Sequence, residues 1–307
     1  MTRRMRASAL VGALAIVTAA LLTAYSTVAH ADRLLYPERR SLLGSAGRFG
    51  YLTPADAGLA YEDVTLRAAD GTKLEGWYAP VGAARGGKAA LLIHGHQENR
   101  VSVLQLTRLF SGLGFSLALF DLRHHGQSGG RHFTMGVRES EDAALAARWL
   151  LARGHDPRRL VVFGVSMGAM IALATQAETG LFNAIVADSP SSDLRQTVLD
   201  YSRRNPGFPV FWPSLAIRLA ERLGGFDLDR MRAADLVRRI RCPLLLIHGE
   251  ADKRIPPSHS RRLAALTAGP VETLFVPGAA HAQAIDRDRA RYDAAIATFL
   301  RRHVSED

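Results

Sequence analysis

The feature that most constrains this chain is a repeated beat of short apolar runs and segments of helical period. The runs are Ala89–Ile93, Phe115–Phe120, Leu160–Phe163, Ala184–Ala187, Leu244–Ile247 and Glu272–Val276. Each is closed within a residue or two by Gly, Asp or Pro, the mark of strands buried on both faces of a parallel sheet. Helical period follows at Val101–Gly112, Arg138–Arg153, Met167–Glu178, Ser258–Leu266 and Gln283–Arg302. Strand and helix in alternation predict an α/β fold with a mostly parallel, doubly wound sheet. Ahead of the beat, Tyr61–Leu66 and Leu74–Tyr78 flank Asp70-Gly71 and read as a hairpin. In such sheets ligands bind beyond the carboxyl ends of the strands, so functional residues should stand just after the runs.

The beat breaks once. More than fifty residues separate Ala187 from Leu244, too many for a structureless loop, so an inserted helical lid is expected at about 191–238. Its aromatic stretch, Phe208-Pro209-Val210-Phe211-Trp212, favours an apolar acyl or leaving group, without assigning that role to any one of these residues. The N-terminus differs in kind. Arg3, Arg4 and Arg6 precede a stretch from Ala7 to Ala31 without Asp, Glu, Lys or Arg, ending in the small-x-small pattern Ala29-His30-Ala31. As a helix this stretch would span roughly 37 Å. Residues 1–31 are therefore a cleaved signal peptide or an uncleaved membrane anchor, with membrane association through residues 7–28. Either way the basic end stays in the cytoplasm and the rest is extracytoplasmic, secreted, periplasmic or held at the membrane. Residues 32–60 are expected to form a linker and N-terminal extension, and residues 61–307 one domain.

Charge and cysteine content exclude several classes. The chain of 307 residues has 39 basic and 29 acidic residues and a formal net charge of +10, and all but three of the basic residues are Arg. The basic residues are scattered rather than blocked, no nucleic-acid motif is present, and three of the surplus charges belong to the leader, so no nucleic-acid partner is expected. The single Cys242 excludes an intramolecular disulfide and any Cys-cluster metal site; it reads as a small buried core residue.

The chemistry gathers after the runs. Gly164-Val165-Ser166-Met167-Gly168 follows a strand and opens a helix, which projects the Ser166 hydroxyl from a tight turn and sets helix N–H groups beside it. A serine nucleophile needs a base and an orienting acid, in the order Ser, acid, His. Asp252 lies after the next-to-last strand, with Glu250 a rival in the same loop, and His281 lies after the last. Asp121 and Asp188 stand at the wrong point in that order. The oxyanion hole should combine the backbone N–H groups of His96 and Met167. His94 is expected to hydrogen-bond backbone; a His94/His96 metal pair has no acidic neighbour to complete it, and neither metal nor cofactor is expected. The loop Asp121–Gly129 should brace the site from below.

Together these motifs resemble the α/β-hydrolase superfamily: His94-Gly95, Asp121-x-Arg123-x-x-Gly126-x-Ser128, Gly164-x-Ser166-x-Gly168, His248-Gly249-x-x-Asp252 and His281. The likeness covers about Tyr61 to Leu300. Asp70-Gly71-x-x-Leu74-x-Gly76-Trp77 and Asn99-Arg100 look like a bacterial exported or membrane-attached branch, monoglyceride-lipase-like or Bem46-like. The resemblance implies a triad of Ser166, Asp252 and His281 and a small-molecule acyl substrate, hence a carboxylesterase or lipase-like enzyme. A serine peptidase or thioesterase of the same fold is the alternative, and a non-catalytic envelope scaffold a more distant one. A Ser at the nucleophile position argues against dehalogenase and epoxide hydrolase chemistry, and no Gly-Gly run follows His94 as in large carboxylesterases.

Overall fold

Eight strands form one sheet in the order β1-β2-β4-β3-β5-β6-β7-β8. They are β1 (Glu62–Arg67), β2 (Lys73–Ala79), β3 (Lys88–Ile93), β4 (Phe115–Phe120), β5 (Leu160–Val165), β6 (Ala184–Asp188), β7 (Leu244–Gly249) and β8 (Val271–Val276). The computed structural model describes residues 3–82, 86–204 and 212–304. β1 and β2 pair as an antiparallel hairpin, β2 runs antiparallel to β4, and β3 through β8 are joined by parallel pairings. This is the mostly parallel, doubly wound sheet expected from the beat of apolar runs.

The runs of β3 to β7 are almost wholly apolar because both faces are covered; β8, at the sheet edge, departs from that expectation, being only half-buried and carrying Glu272 and Thr273. Successive side chains of a strand point to opposite faces. Leu91 and Val162 pack with Ala147, Leu150 and Ile171 on one side, while their neighbours Leu92 and Phe163 pack with Phe110, Tyr292 and Phe299 on the other. The first side is covered by α4 (Val137–Ala152) and α5 (Met167–Thr179), with α9 (Ser258–Leu266) at its edge; the second by α3 (Thr107–Gly112), α10 (Ala284–Arg287) and α11 (Arg289–His303).

Two helical expectations need correction. Val101–Gly112 is not one α-helix: Arg100–Leu106 is a 3-10 helix, capped by the Asn99 side chain on the Val101 N–H, and α3 follows it. All of that 3-10 stretch except Gln105 is buried, and the β-branched Val101 and Val103 disfavour a regular α-turn. Gln283–Arg302 breaks at Asp288, whose side chain accepts from the Arg291 N–H and caps α11 anew. Cys242 is half-buried rather than fully buried; burial still pushes its thiol up to about 11.

The insertion between β6 and β7 is helical: α6 (Leu194–Arg204), α7 (Trp212–Gly224), a 3-10 turn (Leu228–Met231) and α8 (Ala233–Leu236). Phe208, Phe211 and the Trp212 side chain lie outside the described residues. At the N-terminus a single helix, α1, runs Arg3–Leu35, and its last turns pack on α7 through Ala31, Leu35 and Ala220. Residues 32–60 are not an open linker. They include α2 (Leu42–Phe49) and a 3-10 helix (Pro54–Ala57), and Leu42, Phe49 and Leu59 pack on the second face of the core. The buried Asn99 amide fixes this segment by donating to Arg40 O, Ser41 O and Ser45 Oγ.

Candidate active site

From β3 the sheet grows outward to β4 on one side and, through α4, resumes at β5 on the other, leaving a crevice at the carboxyl ends of β3 and β5. Ser166 stands in that crevice, between β5 and α5, with φ 54° and ψ −111°. Both flanking glycines are required by contact. A Cβ on Gly164 would strike the Gly168 backbone, and one on Gly168 would strike the carbonyl oxygens of Ile93 and His94. The left-handed serine is held by its own backbone: its N–H donates to Asp188 O (2.7 Å), and its carbonyl accepts from Ala169 and Met170 as α5 begins.

The structure brings Ser166, His281 and Asp252 into one hydrogen-bonded line. Ser166 Oγ lies 2.9 Å from His281 Nε2, and His281 Nδ1 donates to Asp252 Oδ2 at 2.7 Å. These residues are 115 and 29 positions apart in sequence, and only the shared edge of β5, β7 and β8 unites them. Asp252 is buried, and its Oδ1 accepts from the Arg254 and Ile255 N–H groups. Burial opposes its ionisation. His248 Nε2, 3.3 Å away, and hydrogen bonds from His281 and the Ile255 N–H outweigh that and hold the carboxyl well below the usual range. His248 is itself fixed, donating from Nε2 to Ile255 O and accepting at Nδ1 from Ser260 Oγ. Glu250 points away to the exposed Arg261, 3.5 Å distant.

The loop after β3 lies against the serine: a Cβ on Gly95 would sit 3.7 Å from Ser166 Cβ. His96 and Met167, the residues expected to supply oxyanion N–H groups, both line the same cavity as Ser166. His94 bonds backbone, as expected. Its Nδ1 donates to Gly95 O (2.8 Å) and its Nε2 accepts from the Leu122 N–H (2.9 Å). His125 acts alike, donating to Arg123 O and accepting from the Gln97 N–H. Each is neutral in this arrangement; burial pushes His94 down to about 4 and His125 to about 3.

Below the site the Asp121–Gly129 loop is braced by ion pairs that sequence reading missed. Asp121 is fully buried against Arg100 (2.5 Å) and also accepts from the Arg100 and Gln127 N–H groups. Arg123 makes a bidentate pair with Asp142 of α4, both bonds 2.6 Å. Asp188, the acid rejected on chain order, accepts from Tyr292 Oη and Ser189 Oγ beneath Ser166. Polar residues at strand ends were the available signal, but their partners lie in distant elements that no spacing rule connects.

Above Ser166 opens a cavity of about 640 Å3. The body lines it with Met135, Met167, Met170 and Ile255, the insertion with Leu194, Val198, Tyr201 and Ala216, and α1 with His30, Arg33 and Leu34. The contribution of α1 was not foreseen from sequence.

Residues 108–307 match the model of the prolyl oligopeptidase family. An uncharacterized protein of Mycobacterium tuberculosis is 32% identical over 225 residues, which cover 72% of this chain and 73% of that protein. An α/β-hydrolase domain-containing protein of Arabidopsis thaliana, WAV2, is 24% identical, with 84% and 80% covered. Among solved structures, the Pyrococcus furiosus esterase Pf2001 superposes with a TM-score of 0.70 at 24% identity, covering 88% of this chain and 99% of its own.

Proposed function

This chain belongs to the prolyl oligopeptidase family of the α/β-hydrolase superfamily, and from that premise we propose that it is a serine hydrolase cleaving an ester or related acyl bond. The observation that carries this reading is the line of hydrogen bonds from Ser166 through His281 to Asp252. In the reaction, His281 Nε2 takes the Ser166 proton as Oγ attacks the carbonyl carbon. Asp252 orients the ring and stabilises the imidazolium. The N–H groups of Met167, at the positive end of α5, and of His96 stabilise the oxyanion. Collapse of the tetrahedral intermediate expels the leaving alcohol, which takes the proton from His281. Water, activated by the same ring, then attacks the acyl-serine and releases the acid.

The apolar lining of the cavity supports an acyl chain as its occupant, and the helices at about 191–238 serve as a lid over it. With Arg3, Arg4 and Arg6 held in the cytoplasm, the catalytic body lies outside it.

The test is labelling by a fluorophosphonate together with turnover of p-nitrophenyl esters. Wild type is expected to label and turn over, while Ser166→Ala does neither, its kcat falling by about 10^3-fold or more. A labelled Ser166→Ala protein would mean another nucleophile. The family's name keeps a peptidase as second reading. Cleavage of aminoacyl arylamides at rates above those for esters would select it.

A further inference from the structure

The last turns of α1 serve two surfaces at once. Ala31 and Leu35 are buried against Ala220, with Leu34, Leu219 and Phe226 around them. The Leu35 carbonyl accepts from the Phe133 N–H of the body (2.8 Å). On the other side His30, Arg33 and Leu34 line the cavity that holds Ser166. Cleavage after Ala31, where the small-x-small pattern points, would take His30 from that wall and Ala31 from the contact with Ala220, leaving Arg33, Leu34 and Leu35 without the helix that positions them. Further up, Leu10, Leu14, Ile16, Leu21 and Val28 of the same helix are exposed, and Leu10–Leu35 is long and apolar enough to cross a bilayer. One continuous helix thus joins a surface suited to hydrocarbon to the wall of the candidate active site.

The charge of the cavity adds a second observation. Arg33 and Arg254 both line it, the rest of the wall mixes three methionines and other apolar side chains with neutral polar ones such as Gln97 and Thr197, and among the described lining residues there is no Asp or Glu. A guanidinium in the same cavity as Met135, Met167 and Met170 suits an amphiphile, with the anion paired to Arg33 and the chain against the methionines.

We infer that α1 is retained in the working enzyme as its membrane anchor, and that its last turns form a specificity wall selecting membrane-resident acyl esters that carry an anionic group. The inference rests on the reading of Ser166 as a hydrolytic nucleophile. A helix anchored in the bilayer fixes the cavity at the surface where such esters are dissolved. The anion is the phosphate of a lipid headgroup or a carboxylate on a free acyl ester, and the substrates tested separate the two.

The experiment uses the full chain in isolated bacterial membranes and in lipid nanodiscs. Intact mass of the fluorophosphonate-labelled protein is expected to include residues 1–31; a labelled protein beginning at Asp32 overturns retention. For specificity, a monoacylglycerol phosphate is compared with the monoacylglycerol of equal chain, and the half-ester of a long dicarboxylic acid with the neutral ester. Wild type is expected to favour the anionic member of at least one pair tenfold in kcat/KM. Preference in the first pair identifies a lipid phosphate, in the second a carboxylate. Arg33→Glu is expected to cut the preference at least tenfold and Arg33→Lys to preserve it. A wild type without preference, or a ratio that Arg33→Glu leaves unmoved, overturns the specificity wall. Absence of both labelling and turnover sinks the hydrolase reading instead, and the mass of the membrane-bound chain still decides whether α1 is kept.

Discussion

His94 and His125 show how much of a site's order is carried by residues that do no chemistry. Each spends both ring nitrogens on backbone, between the loop after β3 and the loop after β4, and burial keeps each neutral well below the ordinary histidine value. In an unfolded chain a histidine titrates near 6.5. Below that value the unfolded chain binds more protons than the folded one. The stabilisation is therefore complete above about pH 6.5 and is lost as pH falls toward the folded values. Each residue contributes up to about 1.4 kcal/mol per pH unit over that window. Wild type is expected to lose melting temperature more steeply between pH 6.5 and 4.5 than His125→Gln, which keeps an acceptor for the Gln97 N–H but does not titrate. Parallel melting profiles would contradict this. The sequence made His94 legible as a backbone-bonding residue because it ends a strand before glycine. Nothing in it linked His125 to Gln97, since that contact exists only once β3 and β4 lie side by side.

At the scale of elements, the strands were legible and the ties between elements were not. Continuous apolar runs of strand length mark β3 to β7 wherever the chain places them, because burial on both faces leaves no room for polar alternation, while the edge strand β8 admits Glu272 and Thr273. Ends of helices were harder to place: Asp288 caps α11 in the middle of one continuous helical period, and Asn99 opens a 3-10 turn instead of an α-helix. Buried ion pairs were harder still. Arg123 and Asp142 tie the loop after β4 to α4 with both side chains almost wholly out of water. Removing one partner strands the other charge, so Arg123→Leu is expected to destabilise by about 3–5 kcal/mol, measured by urea unfolding. The double variant Arg123→Leu/Asp142→Leu should recover a large part of that loss. A double variant as unstable as the single one would show that the loss does not come from a stranded Asp142 charge, since Arg123 also pairs with Asp70 at 2.9 Å.

For the whole molecule, the leader is where sequence and structure diverge most. Charge, length and a cleavage-like tripeptide leave cleavage and anchorage equal, and the packing of Ala31 on an insertion almost two hundred residues away supports the retention proposed above. The full chain is accordingly expected to stay with membranes through alkaline carbonate washing and to leave only with detergent; release by carbonate would mean that α1 lies outside the bilayer. Ser166 has a further consequence for the molecule's thermodynamics. A left-handed conformation at a residue other than glycine costs about 1–3 kcal/mol, and this protein carries that cost at the turn between β5 and α5. Ser166→Gly is expected to melt above Ser166→Ala, since both lose the hydroxyl and only alanine keeps the strain. Selection for stability alone would place glycine at this position, so the serine is kept at a cost to folding, as the role proposed for its hydroxyl requires.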